Sequence, residues 1–462
     1  MKPTAPATEL THALRTKQIS ARELLDAYLE RIERLDRGSL NAVVTLDAER
    51  ARDAAQAADD ALARGDDVGP LHGLPMTIKD AIATEGIRST GGAVELADHV
   101  PAADAPAVGR LKAAGAIVFG KTNLPRWCGD AQTTNELFGT TTNPWSSVHV
   151  PGGSSGGSAA ALAAGLTGAE LGTDIGGSVR APAHCCGVYA CKPSFGVVPD
   201  LGYLDHVGGG GTPVDMNTFG PMARSAADLD LLLSVLAAPN PADAPAWRVE
   251  LPASPIDSLA GLRVAVWFDD PACPVDAEYL GMLRRAADAL ADAGARVEES
   301  HPPIGFREQA DLYTALVAAA VSPSLVDVFG EGVSGSHLAW LRNDARRAEM
   351  RAAWAEWFGG HDVLLGPAWC MPAFEVGHTG GMAERWLVVN GEARTPFEIS
   401  LWLMLVNLLY LPSVVVPIGR TAAGLPVGMQ IIAPYLHDRP AIRVGGLVSE
   451  LVGGYEVPPG FE

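Results

Sequence analysis

The chain has 462 residues, 48% of them hydrophobic and 19% charged, with a formal net charge of −20. That balance supports a large buried core. It excludes the basic face by which a general nucleic-acid binder or an anionic-membrane binder works. Six cysteines in a chain of this length build no disulfide framework, and no C-x-x-C pair spaced for zinc occurs.

In chain order, the first segment, MKPTAPATELTHALRTK, lacks the apolar stretch of a secretory leader, so the expected compartment is the cytoplasm. Ser20-Ala21-Arg22-Glu23 reads as a capping box, and Leu24, Leu25, Tyr28, Leu29, Ile32 and Leu35 follow at helical spacing. Residues 46–65 are an Ala-rich helical run. A Gly/Pro turn at 69–75 leads into Met76-Thr77-Ile78-Lys79-Asp80, a short buried strand ending in a charged pair. Asp104 through Gly115 is a predicted helix with Pro106 in its first turn, and Ala116 to Phe119 a strand. Residues 123–145 are irregular.

The stretch from Pro151 to Ser194 holds two Gly-Gly-Ser clusters, at 152–158 and 176–178, joined by an Ala-rich helix and a strand over 169–172. Glycines in such turns admit positive φ and bring backbone N–H groups close to a ligand, so each turn presents a serine beside an anion-binding nest. Beyond it lie a loop at 196–220 with Gly208 to Gly211, then a helix capped by Ser225 with Leu229, Leu232, Leu233 and Leu236 on its apolar face. Residues 238–260 are a connection. A strand (263–268), a helix (275–293) and a strand (296–299) continue an α/β order. Residues 306–357 are mainly helical and suit a cap over a pocket. Strands are predicted at 363–365, 413–417 and 425–432. The apolar run from Leu401 to Pro417 is broken by Asn407, Pro412 and Ser413 and reads as a buried helix leading into a buried strand, not a membrane span.

Three motifs compete for the chemistry. Gly115 to Thr122 fits the letters of a P-loop, but its variable positions, Ala-Ile-Val-Phe, are themselves strand and no helix follows, which removes the phosphate cradle. Gly152-Gly153-Ser154-Ser155-Gly156 matches the G-x-S-x-G nucleophile elbow, with Ser154 as nucleophile; the residues before it make a poor strand, and this stands as the alternative mechanism of an esterase. His184-Cys185-Cys186 lacks a spaced partner set for a metal. The third reading joins Lys79 to the two serine turns. A serine hydroxyl attacks only when a base takes its proton, and a lysine is that base only when neutral. Working near pH 7 means deprotonating about three pH units below its ordinary 10.4, a cost of about 4 kcal/mol. Burial at the end of an apolar strand supplies part of this, provided that Asp80 points elsewhere.

These residues are similar to the amidase signature family. The resemblance rests on Gly73 to Asp80, the GGSSGGS run at 152–158 and the run GTDIGGSVRAPAHCCGVYACKPS at 172–194. It is also carried by Gly120 to Pro125, Asn143-Pro144-Trp145, Gly220 to Ser225 and Gly424 to Gln430. The matches extend from about residue 8 to 435. The resemblance implies one α/β domain over 1–462: a single large mixed, mostly parallel, twisted sheet covered by helices on both faces. It implies a catalytic core at about 70–225 and a helical cap at about 300–360. It also implies a Ser–Ser–Lys triad with Lys79 as base, Ser154 as bridging serine after a cis peptide bond, and Ser178 as nucleophile. The amides of Ile175, Gly176, Gly177 and Ser178 would form the oxyanion hole, where one lost donor costs about 2.7–4 kcal/mol. Asp174 and Arg180 would brace the loop. No metal or cofactor is implied.

Trp127, Cys128 and Gly129 match a family segment that lines the acyl pocket. The rest of its wall is expected from Tyr203, Leu204, Val207, Phe306, Leu312, Tyr313 and Leu316, which favour an apolar or aryl substrate. The expected function is hydrolysis of small aryl or alkyl amides, with anilides, esters and carbamates (urethanes) open to the same acylation. The expected partners are that small substrate alone, without nucleic acid or membrane, for a monomer or homodimer. The contrasting expectation is the glutaminase-type component of a tRNA-dependent amidotransferase.

Overall fold

The structure is a computed structural model that describes residues 2–324, 335–377, 379–382 and 384–462. Its centre is an eleven-stranded sheet. In chain order the strands are β1 (Val43–Leu46), β2 (Pro75–Lys79), β3 (Ile117–Thr122), β4 (Glu170–Asp174), β5 (Tyr189–Lys192) and β6 (Thr218–Ala223). They continue as β7 (Arg263–Val266), β8 (Arg296–Glu299), β9 (Val363–Pro367), β10 (Ser413–Arg420) and β11 (Pro426–Ile432). Their order across the sheet is β1-β3-β2-β4-β6-β5-β10-β11-β9-β7-β8. One block, β3-β2-β4, is parallel, and so is a second, β9-β7-β8. The remaining pairings are antiparallel. The single large mixed sheet is therefore as expected, but its parallel ladders flank an antiparallel centre instead of dominating. For one of these pairings the cause is local: β10 and β11 are joined by a short turn at 421–425, and a tight connection can only return a strand antiparallel.

Helices cover both faces. They include α1 (Ala21–Arg31), α2 (Ala48–Arg64), α3 (Pro106–Ala113), α4 (Gly156–Ala163), α5 (Arg180–Cys186), α6 (Ala226–Leu236) and α7 (Ala277–Asp292). Further along are α8 (Phe306–Ala320), α9 (His337–Trp357), α10 (Leu401–Leu408) and α11 (Asp438–Val452). The run Val414-Val415-Val416 shows why this strand reads as unbroken apolar sequence. Val414 and Val416 face Gly445 of α11, while Val415 lies beside Gly428 on the face toward His184 of α5. A strand covered on both sides has no polar alternate. The capping box at Ser20 forms and starts α1, and Ser225 caps α6. The run expected as a helix from residue 46 loses its first residue to β1, where Val43, Thr45 and Leu46 pair with β3 before Asp47 turns the chain into α2.

β3 runs three residues further than the sequence predicts, taking in Gly120, Lys121 and Thr122. The P-loop lookalike is thus strand throughout its second half. Lys121 is fully buried and donates to the Ile82 carbonyl (2.5 Å) and the Thr84 hydroxyl (2.8 Å). The 401–417 run is α10, wholly buried, followed by β10, and no described helix is long and apolar enough to cross a membrane. The cap expected at 300–360 falls on α8 and α9, with residues 325–334 outside those described. α9 packs on α8, where Trp354 Nε1 donates to Gln309 Oε1 (2.9 Å).

α4 begins directly after the Ser154-Ser155 pair, and Gly157 lets it press on the chain leaving β3. A Cβ at 157 would stand 2.4 Å from the Asn123 nitrogen and 2.6 Å from its oxygen. Overpacking of this kind costs about 1–3 kcal/mol. Gly157→Ala is expected to lower unfolding stability by that amount in chemical denaturation, and a change under about 0.5 kcal/mol would contradict the contact.

Candidate active site

Parallel pairing of β2 with β4 brings their carboxyl ends side by side, with Thr77 against Glu170 and Ile78 against Leu171. Lys79 follows Ile78 on β2, and Thr173 lies two residues beyond Leu171 on β4. Crevices outside the carboxyl ends of parallel strands are where α/β sheets place ligands. Lys79 is fully buried, and its Nζ lies 2.6 Å from Ser154 Oγ and 2.7 Å from Thr173 Oγ1. Burial pushes its pKa down; Cys128, Asp174 and Glu170 pull weakly the other way. Asp80 turns away, as the sequence reading requires, and accepts from the Thr90 amide (3.0 Å) and the Thr90 hydroxyl.

Ser154 follows a cis peptide bond with Gly153 and is fully buried. Residues 143–149, upstream of it, make isolated bridges and no strand, so the strand–turn–helix of a nucleophile elbow is absent there. Ser178 sits across from this turn, where the Ser155 amide donates to the Ser178 carbonyl (3.0 Å). Ser178 lines a cavity of about 640 Å³. Its hydroxyl makes no hydrogen bond to another described residue, whereas Ser154 is held by Lys79.

The loop carrying Ser178 is held from beneath. Asp174 Oδ1 accepts from the Gly177 amide (2.9 Å) and Asp174 Oδ2 from the Val179 amide (3.1 Å). Arg180 grips both oxygens at 2.9 and 3.0 Å, with neither partner exposed. Asn407 of α10 adds Nδ2 at 3.0 Å and accepts from Arg180 at 2.5 Å. Burial alone would raise the Asp174 pKa; the Arg180 guanidinium and the Asn407 amide hold it well below the usual carboxylate range. Gly177, at φ +113°, occupies a conformation that only glycine adopts readily. Its amide, expected among the oxyanion donors, is already taken by Asp174. Among the described residues the amides of Ile175, Gly176 and Ser178 have no acceptor.

Trp127, Cys128 and Gly129 line the cavity, as does Tyr203 from the 200–218 loop. The other wall residues expected from the sequence divide by environment. Tyr313 reaches the cavity, but Leu204, Phe306, Leu312 and Leu316 are core and Val207 is exposed. Helical geometry explains it: Tyr313, Val317 and Val321 form one stripe along α8 and its end, while Phe306, Leu312 and Leu316 pack inward. Phe306 instead stacks edge-on to Trp402 (4.8 Å). Thr173, Asn407, Trp369 and Phe397 were missed. Thr173 stands directly before Asp174 in the quoted motif, and Asn407 is the one polar residue in α10, so both left a signal; Trp369 and Phe397 left none.

His184 is buried with both ring nitrogens engaged. The Gly428 amide donates to Nδ1 (2.9 Å), Nε2 lies 3.1 Å from the Met371 carbonyl, and burial lowers its pKa to about 4. No cluster of three or more metal-ligating side chains occurs among the described residues.

The amidase family model matches residues 23–334 and 329–441. The A component of the glutamyl-tRNA(Gln) amidotransferase of Synechococcus sp. (strain CC9902) is 35% identical over 478 aligned positions, covering 93% of each chain. An acylamidase of Rhodococcus erythropolis is 33% identical over 458 positions, covering 95% of this chain and 93% of its own. The solved structure of a bacterial aryl acylamidase of the amidase signature enzymes superposes with a TM-score of 0.85 at 28% identity, covering 99% of this chain and 98% of that one.

The Asp174–Arg180 pair yields a direct test. Removing one partner of a buried pair strands the other and costs about 3–5 kcal/mol. Arg180→Met is expected to lower unfolding stability by that amount, measured by chemical denaturation, and a loss below about 1 kcal/mol would contradict the bracing.

Proposed function

The chain belongs to the amidase signature family and is an amidohydrolase, and from that premise we propose that it cleaves small aryl and alkyl amides through an acyl-enzyme on Ser178. Lys79 serves as base and Ser154 as the proton bridge between them. The observation that carries this is the buried Lys79 amine, 2.6 Å from Ser154 Oγ, beside a cavity into which Ser178 opens. In this reading neutral Lys79 takes the Ser154 proton as Ser154 takes that of Ser178. Ser178 Oγ then bonds to the amide carbon, and the charge that develops on oxygen is held by the amides of Ile175, Gly176 and Ser178. Gly177 keeps the loop in place. The proton returns through Ser154 to the leaving amine as the C–N bond breaks, and water then releases the acyl group. The Ser178 hydroxyl turns toward Ser154 when substrate arrives; catalytic hydrogen bonds commonly tighten only in the complex.

Trp127, Cys128 and Gly129 are proposed to contact the acyl group. Aromatic walls from Trp127, Tyr203, Tyr313, Trp369 and Phe397 support an aryl or alkyl substrate, and anilides, esters and carbamates fit the same attack. The 35% identity to an amidotransferase component favours a second reading, a glutaminase-type protein working with partners. Turnover of a simple anilide by the isolated chain separates the two.

Ser178→Ala and Lys79→Met are each expected to lower kcat on such an anilide by at least roughly 10³-fold, with the double variant little worse, because the groups act as a unit. Full activity in Ser178→Ala with loss in Ser154→Ala would overturn the assignment in favour of the elbow. Because the base works only when neutral and burial lowers its pKa, wild-type kcat/KM is expected to rise with pH along a limb centred below about 10.4. The limb should be missing from the residual activity of Lys79→Met.

A further inference from the structure

One carboxylate in the cavity wall is used by nothing described above. Among the described residues, three ionisable side chains besides Cys128 and the tyrosines line the cavity: Arg126, Asp130 and Asp205. Arg126 is paired with Glu95 (2.5 Å), and Asp130 is gripped by Arg385 at 3.0 and 2.6 Å. Asp205 differs. It is only 3% exposed, yet no arginine or lysine among the described residues pairs with it. Its Oδ1 lies 2.8 Å from His206 Nδ1, and among the described residues its Oδ2 has no hydrogen-bond partner. Its backbone carbonyl is fixed by Ser324 Oγ (2.7 Å), at the far end of the stripe that begins with Tyr313, whose hydroxyl donates to the Ile175 carbonyl (3.1 Å). Asp205 thus stands along the cavity from the Ser178 loop, in a wall whose other described charged side chains, Arg126 and Asp130, are already paired.

Resting on the amidase reading, we propose that Asp205 is a specificity-determining residue whose Oδ2, unpartnered among the described residues, receives a protonated amine carried by the substrate. A half-paired carboxylate in an apolar wall is costly unless a cation completes it. Burial raises the Asp205 pKa and His206 opposes this; an arriving ammonium favours the ionised form further. Aromatic rings along the same wall suit the cation's approach. The substrate class so defined is an amide with an aryl or alkyl body and an amino group remote from the scissile bond. Gly208 to Gly211 gain a role with it. Gly209 lies so close to Asp205 that a Cβ there would stand 2.8 Å from Oδ1, so the bare loop leaves room around the carboxylate.

The test uses 6-aminohexanoyl-4-nitroanilide and its neutral isostere heptanoyl-4-nitroanilide on wild type, Asp205→Asn and Asp205→Glu. Asp205→Asn is expected to lower kcat/KM on the aminoacyl probe by at least about 10-fold, mainly through KM, while the neutral probe changes less than about 2-fold. Asp205→Glu should recover part of the loss. Equal effects on both probes, or none on either, overturn the proposal. Calorimetric binding of hexylammonium and of 1-hexanol to the wild type keeps the question decidable if the variants misfold or neither anilide turns over. Tighter binding of the ammonium supports the site, and equal binding overturns it. Failure of both anilides together with preferential ammonium binding would count against the amidase reading and leave the amine site standing.

Discussion

A lysine amine sealed from water, bonded to two hydroxyl oxygens and paired with no carboxylate among the described residues, is the constraint around which this molecule is arranged. Lys79 contacts Ser154 and Thr173 and belongs to no ion pair among the described residues. A carboxylate in either place would hold the proton on the amine and rule out the proposed use as a base. Nearby acids are accordingly engaged elsewhere. Asp80 is bound by Thr90, and Asp174 by Arg180, Asn407 and two backbone amides. Glu170 takes the Thr77 hydroxyl, and its burial raises its pKa to about 7, which diminishes its charge near neutrality. The same burial brings Lys121, on the neighbouring strand, down to about 8.

This arrangement follows from topology. The parallel block β3-β2-β4 aligns Lys121, Lys79 and Thr173 near one end of the sheet, and the Gly-rich turns fold back over that end. Hydroxyl side chains fill the space between charges: Thr122 meets Ser158 at 2.8 Å, and Thr133 donates to the Gly152 carbonyl at 2.8 Å. Such a network holds its shape only when its members are satisfied together. The loop bearing Ser178 is fixed by the opposite device, a full ion pair with amide support.

The local signals of the fold were legible where one residue decides. Ser20 and Ser225 start their helices as their sequence contexts predict, and the strand predicted over 76–80 forms over Pro75–Lys79, one residue short of Asp80. The triad candidates came from the family resemblance, carried jointly by Gly73 to Asp80 and the two Gly-Gly-Ser clusters; either cluster alone reads as easily as a plain loop. Strand direction was not: an α/β order in sequence implies parallel neighbours, but β10 and β11 sit in the centre and return antiparallel through a short turn. Nor were the cavity walls. Leu312 and Tyr313 are adjacent in sequence, and only the rotation of α8 sends one to the core and the other to the cavity. Trp369 and Phe397 come from segments whose approach to Ser178 depends on long-range packing, for which a single sequence carries no local mark. Gly177 lay inside the right motif, but its amide was assigned to substrate because the reach of Asp174 three residues earlier is a matter of turn geometry.

The central claim is that Ser178 attacks and Ser154 only passes protons. Covalent labelling tests it most directly. An alkyl fluorophosphonate loses fluoride to an activated serine and leaves a phosphonyl adduct that peptide fragmentation by mass spectrometry locates. The account predicts one adduct, on Ser178, formed much more slowly in Lys79→Met. An adduct on Ser154, or labelling at equal rate without Lys79, would contradict it.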